Sequence, residues 1–216
     1  MDRAQRRRET IAATLTAAGL CTGVWLIDHS SGPQAPPQPA ATQAARPGAA
    51  APVPEVAPLP SAPPVRVRIP AIGVDAPVTG LGLEADGSLE TPPEDEPDLT
   101  GWYERGTAPG AAGTAIFAGH VDHADGPSVF YGLGALRKGD TVEVDRADGR
   151  TAVFTTDSVE VHDRRDFPDE RVYGRSDRAE IRLITCGGAF AESEGYLGNV
   201  VVYGHLTGSA TTGPGA

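Results

Sequence analysis

The residue with the most distinctive chemical context in this chain of 216 residues is Cys186. It follows the apolar run 183–185 and precedes Gly187 and Gly188, so the pattern places it where a strand ends. Glycines at such a point expose backbone N–H groups and let another backbone approach, which suits a thiol nucleophile and its oxyanion. The alternative is a buried structural thiol, because free cysteine packs like a small apolar residue.

A thiol nucleophile needs a proton-transfer partner, and His120 is the candidate for that role. It ends its own predicted strand, 114–119, after a glycine, in the way that Cys186 ends the strand before it. Two reactive side chains at strand ends can meet at the mouth of a barrel, where one imidazole would serve as acid and base. A metal site formed by His120, His123 and Cys186 is a competing interpretation, but no further cysteine or acid stands at a spacing typical of zinc.

The elements that must position these residues are predicted to be strands. Short β-branched runs recur between turn signals, which is typical of an all-β barrel or sandwich. The predicted strands are 65–69, 114–121, 141–145, 151–155 with its continuation 158–162, 180–185 and 199–203. Only 128–137 has a helical pattern, and two glycines weaken it. The absence of a long amphipathic helix argues against a nucleotide-binding βαβ fold.

Composition divides the chain into five segments. Residues 1–10 are basic, and 11–27 are uncharged and apolar, which predicts a transmembrane anchor or a signal segment, with the anchor favoured. Residues 28–64 form a Pro/Ala-rich stretch that predicts a disordered linker, and 208–216 predict a flexible tail. The folded domain is therefore 65–207, and we expect it to lie outside the cytoplasm.

Net charge and acidic clustering narrow the range of partners. The formal charge of −11 argues against nucleic acid, since phosphate binding needs a basic face. Residues 84–98 contain seven acids and no base, which is typical of a solvated loop. Calcium is the alternative ligand there, although no EF-hand spacing is present.

Several short strings, taken in order, resemble the sortases, and in particular the actinobacterial class F group. They are VRIP (67–70), IGVDAP (72–77), GHVD (119–122), TCGG (185–188) and NVVVY (199–203). The similarity extends from residue 65 to about residue 206, within a chain that also has the basic start, apolar run and Pro-rich stretch described above.

This resemblance implies an eight-stranded sortase-like β-barrel with short helical turns and a cysteine transpeptidase activity without a cofactor. Cys186 would attack the threonine carbonyl of an LPxTG-like sorting signal on a surface protein and form a thioacyl intermediate. His120 would protonate the departing amine and then deprotonate the incoming amine of a cell-wall precursor. The enzyme would be a single-pass protein of the cell membrane with its catalytic domain outside.

One departure from the sortase pattern bears on catalysis. Sortases use an arginine on the strand after the cysteine, yet no Arg or Lys follows Cys186 in this chain. The related pattern places the arginine within 196–199, where Leu197 replaces it, and Asn199 would donate one neutral hydrogen bond to the transition state or substrate. We therefore expect a slow enzyme, an arginine from elsewhere (Arg182 is nearest in sequence) or a catalytically degenerate binding domain.

Two further expectations concern the same chemistry. An L,D-transpeptidase of peptidoglycan would also use a Cys–His pair, but its usual Ser-His-Gly-Cys string is absent. The polar stretch 163–178 lies where sortases have a substrate-facing loop before the cysteine strand, and a simple solvated loop is the alternative.

Overall fold

The computed structural model describes residues 35–45 and 56–211, which contain ten strands and little helix. The strands are β1 (Pro64–Ile69), β2 (Val74–Leu81), β3 (Thr100–Tyr103), β4 (Gly113–Ala118), β5 (Asp122–His123), β6 (Gly126–Pro127), β7 (Thr141–Arg146), β8 (Arg150–Asp163), β9 (Ala179–Ala191) and β10 (Gly195–Thr211). Helix α1 spans Asp169–Tyr173, and 3-10 turns lie at Ala41–Gln43, Pro70–Ile72, Leu133–Ala135 and Arg164–Asp166.

Eight of these strands close into a barrel in the order β1-β2-β3-β4-β9-β10-β8-β7. The pairs β2/β3 and β4/β9 are parallel, and the other barrel pairs are antiparallel. Alternate residues of the strands fill the interior, where Phe117, Phe154 and Leu183 are fully buried. The prediction of an all-β, eight-stranded barrel is confirmed.

Several element boundaries differ from the sequence prediction. Strand β4 ends at Ala118 rather than at residue 121, and only Leu133–Ala135 of the predicted helical stretch 128–137 is helical. Strand β10 continues to Thr211, because 208–211 pair with the start of β8, so the barrel includes four residues assigned to the flexible tail. The sequence prediction did not include β2, β3 or α1.

Part of the Pro-rich stretch has a defined place on the barrel. The backbone N–H of Gly188 donates to the side-chain oxygen of Gln38 at 3.1 Å, and that of Lys138 donates to Gln43 at 2.9 Å. Residues 36–45 therefore lie against the barrel, close to the residues that follow Cys186, although the prediction counted them as disordered linker.

The predicted basic segment 1–10 and anchor 11–27 lie outside the described residues. Within residues 35–45 and 56–211, none of the helices has the length and apolar character needed to cross a bilayer.

Candidate active site

His120 follows β4 after one residue, and Cys186 lies within the neighbouring parallel strand β9, which continues to Ala191 and does not end at the cysteine as the sequence predicted. The register pairs Ala118 with Ile184, two residues before each of them. The strand ends are held together by two hydrogen bonds: Gly119 N–H donates to the Ile184 carbonyl at 3.2 Å, and the Thr185 hydroxyl donates to the Gly119 carbonyl at 2.8 Å. The fold thus brings the two predicted residues to the same edge of the barrel.

The side of β9 that carries Cys186 faces away from the barrel core. Leu183 is fully buried in the main core, whereas Ile184 belongs to a second apolar cluster on the opposite side of the strand. Because side chains alternate along a strand, Cys186 shares the side of Ile184. Its thiol is free and half-buried, so it is partly accessible to solvent and not sealed inside the barrel.

Asn199 occupies the position directly across from the thiol. On β10 it pairs with Cys186 of β9 on one side and with His162 of β8 on the other. Leu197 lies at a register shift between Tyr196 and Gly198, so it has no partner opposite the cysteine. Asn199, and not Leu197, is therefore the residue of β10 that pairs with the cysteine.

Glycines permit the close approach of strands beside the thiol. Gly187 pairs with Gly198, and a Cβ at Gly187 would lie 2.6 Å from Cγ2 of Val200. A Cβ at Gly198 would lie 2.5 Å from the His162 carbonyl oxygen. Gly188 has a φ of 80°, a left-handed conformation that favours glycine. The glycines after the cysteine are therefore needed by the backbone geometry at this site.

A guanidinium contacts the thiol, but it does not belong to Arg182. Nη2 of Arg164 donates to Sγ of Cys186 at 3.4 Å. Arg182 instead pairs with Glu180 at 2.7 Å and lies 4.7 Å from the centroid of the Tyr203 ring. Arg182 also stands four residues before Cys186, about 13 Å along the strand. Arg164 was not among the sequence candidates, since nothing in its local pattern points toward the cysteine.

The imidazole of His120 has its own partner in the acidic stretch 84–98. Nε2 of His120 lies 2.7 Å from the carbonyl oxygen of Pro92, which can only accept, so this nitrogen carries a proton. A second tie joins Val129 N–H to the Pro97 carbonyl at 2.8 Å. Among the described residues no hydrogen bond joins His120 to Cys186. The acidic stretch is thus a loop that orients the histidine, which its composition did not indicate.

The structure gives no support to the metal alternatives. Within the described residues, no group of three His, Cys, Asp or Glu side chains is arranged to hold a metal ion, whether around His120 and His123 or in the acidic loop. Nδ1 of His123 instead forms a hydrogen bond with the Ser128 hydroxyl at 3.3 Å.

Tyr196 is a further polar residue of this region that sequence reasoning missed. Its hydroxyl donates to the carboxylate of Asp122, which follows His120 in the GHVD string. Burial, and then this carboxylate, raise the pKa of Tyr196 well above its usual value, so the hydroxyl stays protonated at neutral pH. The contact ties the β9–β10 hairpin to the segment that carries His120.

A cleft of about 930 Å³ opens on the outer side of β4, beside α1. Its lining includes Tyr103, Ile116 and Tyr173. Val172 of α1 is fully buried in the second apolar cluster, which also contains Ile116 and Ile184. The stretch 163–178 is therefore packed onto the strands that carry His120 and Cys186 and is more than a solvated loop.

Ion pairs fix the same stretch in place. Nη1 of Arg171 donates to Glu160 at 2.6 Å, and the Arg171 guanidinium lies 4.6 Å from the centroid of the Tyr203 ring. Burial opposes ionisation of Glu160, yet the hydrogen bond from Arg171 holds the pKa of this carboxyl below its usual value. Burial also lowers the pKa of His162, whose Nε2 lies 2.9 Å from the Tyr203 hydroxyl.

Solved structures of sortases share this barrel. Sortase A of Listeria monocytogenes superposes with a TM-score of 0.54 at 17% identity, covering 70% of this chain and 92% of that chain. Sortase C of Streptococcus pneumoniae gives 0.52 at 20% identity, covering 68% and 70%. Sortase C-1 of Actinomyces oris gives 0.51 at 20% identity, covering 66% and 73%. These likenesses show the fold.

The family itself is shown by the sequence. No curated protein matches the chain significantly. The family model described as the sortase domain, however, matches residues 67–207, which is well over half of the chain and includes His120, Cys186 and Asn199. With a closed eight-stranded barrel and a free cysteine on the strand that pairs with the one leading to His120, the chain belongs to the sortase family, whose members are cysteine transpeptidases.

Proposed function

We propose that this protein is a class F sortase that cleaves an LPxTG-like sorting signal and transfers it to an amine of the cell wall. The observation that carries the proposal is the placement of His120 and Cys186 two residues beyond the last pair, Ala118 and Ile184, of two parallel strands, within a sortase domain. The intact pair favours a working enzyme over a degenerate binding domain.

The reaction begins at Cys186. Its thiolate attacks the threonine carbonyl carbon, a C–S bond forms, and the carbonyl electron pair moves onto oxygen. The tetrahedral species collapses with cleavage of the C–N bond, and His120 gives its proton to the departing amine. An incoming amine then attacks the thioester, His120 takes up its proton, and Cys186 leaves as thiolate. Asn199 would donate a neutral hydrogen bond beside the reacting carbonyl.

The cleft beside α1 would receive the residues that precede the scissile bond. Its lining on β4 reaches Ile116, four residues before His120, and Tyr103 and Tyr173 offer aromatic surface for an extended peptide. Its position next to the packed stretch 163–178 supports the substrate-facing role expected for that loop.

The proposed setting is the outer side of the cell membrane. The uncharged run 11–27 after a basic start would anchor the chain, with the barrel outside and close to sorting-signal-bearing surface proteins and the amine acceptor.

The test is a transfer assay with the full-length protein in detergent. An LPxTG-type peptide is supplied with an excess of triglycine as the amine, and the products are separated by chromatography and identified by mass spectrometry. We expect a ligated product that Cys186→Ala abolishes and that His120→Ala lowers by about 10²-fold or more. Cys21→Ala is the matched control, since Cys21 is the other cysteine of the chain, and it should retain activity. Unchanged product formation by Cys186→Ala would rule out the mechanism.

A further inference from the structure

The site has a cysteine and a histidine but no cation on the strand beside the thiol. Asn199 stands across from Cys186, and no Arg or Lys follows the cysteine in the chain. A neutral amide is a weaker partner for a developing oxyanion than a guanidinium, because charge-assisted hydrogen bonds are about twice as strong. A cation in this site must therefore come from another element.

We propose that Arg164 is that cation and acts as a catalytic residue from the turn after β8. The inference deepens the proposed function and rests on it. It starts from one contact: Nη2 of Arg164 donates to Sγ of Cys186 at 3.4 Å. Arg164 therefore touches the atom that forms the new bond.

Strand pairing explains how Arg164, just after the end of β8, reaches the thiol of Cys186 on β9. β8 and β10 pair His162 with Asn199 and Asp163 with Gly198, so β8 ends one residue beyond the row that contains Cys186. The 3-10 turn Arg164–Asp166 follows at once. The Asp163 carboxylate caps it by accepting from Arg165 N–H at 2.8 Å. This cap fixes the point from which the side chain of Arg164 extends across β10.

The charge of Arg164 is available, whereas its neighbours are neutralised. Arg171 pairs with Glu160, Arg182 with Glu180, and Arg165 with Glu194. Among the residues that the structure describes, Arg164 has no ion-pair partner and its side chain bonds to the thiol sulfur. A guanidinium with five donors and no carboxylate partner is suited to an anion that appears only during the reaction.

The chemistry assigns two tasks to the guanidinium. Before attack it stabilises the thiolate of Cys186 through its positive charge. During attack the negative charge moves from sulfur to the carbonyl oxygen two bonds away. Because the guanidinium of Arg164 has several N–H groups, one can stay in contact with Sγ while another donates to that oxygen. No other group gains or loses a proton in this step, and the C–N bond breaks afterwards with the proton from His120.

The test compares Arg164→Met with Arg165→Met in a Cys21→Ala background. Arg165 is the matched control, since it lies on the same turn and pairs with the exposed Glu194 at 3.3 Å. We expect Arg164→Met to slow acylation by an LPxTG-type peptide by about 10²–10³-fold, the usual cost of one oxyanion donor. Arg165→Met should stay within about twofold of the parent, since exposed ion pairs contribute little.

A second readout does not depend on the sorting signal. Alkylation of Cys186 by iodoacetamide at pH 7 reports the thiolate alone, and loss of a unit charge at this distance should slow it about five- to tenfold in water. If no variant, including the parent, is acylated by the peptide, the proposed function fails while alkylation still decides the role of Arg164. If the parent is acylated and Arg164→Met is equally fast, the role of Arg164 is overturned and the function stands.

A third experiment moves the positive charge from residue 164 to residue 199. Asn199→Arg places a guanidinium on β10 directly across from Cys186. In the Arg164→Met background it should restore at least tenfold of the lost acylation rate. Failure of this rescue, with both variants folded by circular dichroism, would mean that Arg164 acts through the structure of its turn and not through its charge.

Discussion

The hydroxyl of Thr185 offers a direct test of how the two reactive residues are positioned. Thr185 is 4% exposed and donates to the Gly119 carbonyl at 2.8 Å, which ties the residue before Cys186 to the residue before His120. Thr185→Val keeps the shape but removes the donor and leaves a buried carbonyl without this partner, at a cost of about 2 kcal/mol. For a domain of this size, that lowers Tm by about 4–8 °C.

The same change should also slow acylation, because the hydrogen bond positions the two reactive residues. Without the tie the strand ends can separate, and a misplacement of about 1 Å can cost about 10²-fold in rate. We therefore expect a 10- to 100-fold slower acylation at 25 °C, where the variant remains folded. The assay is stopped-flow or quenched-flow acylation by an LPxTG-type peptide, with Tm followed by circular dichroism on the same samples.

Thr151→Val is the matched control. Thr151 lies on β8, eleven residues before His162, and its buried hydroxyl donates to the Asp145 carboxylate at 2.6 Å. Hydrogen bonds to a carboxylate contribute about 1.5–3 kcal/mol. It should lose at least as much stability as Thr185→Val with no change in acylation rate. Equal rates in Thr185→Val and the parent, or equal slowing in both valine variants, would refute the argument that this tie sets the catalytic geometry.

Three further changes test other parts of the structure. Arg146→Met removes a fully buried guanidinium that donates to two backbone carbonyls and should cost about 3 kcal/mol in urea denaturation; a cost below about 1 kcal/mol would contradict this. Gly134→Ala places a Cβ 1.8 Å from the Pro37 carbonyl oxygen, so hydrogen exchange in 36–45 should accelerate while the barrel stays protected. Burial lowers the pKa of His162, so the contribution of this residue to stability is complete above the unfolded pKa of about 6.5 and is lost as pH falls below that value. His162→Gln should therefore flatten the dependence of Tm on pH between 5 and 7. An unchanged slope would exclude this cause.

The sequence predicted the elements that have strong local patterns. β1, β7 and the β7–β8 turn follow from alternation and from Asp148-Gly149, whose glycine has a φ of 76°. β2 was not predicted because Pro77 and Gly80 interrupt its pattern, yet it pairs along its length with β1 and then β3. The five-residue helix α1 is too short to show a helical period.

In the candidate site, too, only the residues with a local sequence pattern could be predicted. Cys186 and His120 could be selected because each ends an apolar run, which is a local signal. That β4 and β9 are neighbours is a property of the barrel, which no local pattern could predict. The contact of Arg164 with Cys186 depends on the register of three strands, and the Pro92 contact of His120 depends on a loop that crosses the site, so neither has a signal in the sequence.

The intact mass of the protein after reaction with an LPxTG-type peptide and no amine shows whether Cys186 forms the acyl intermediate. We expect a mass increase equal to the peptide up to its threonine, located on Cys186 by fragmentation and removed by hydroxylamine, as a thioester requires. An unmodified Cys186 after prolonged incubation with several motif variants, in protein that remains folded, would show that Cys186 is not the nucleophile of a sortase reaction.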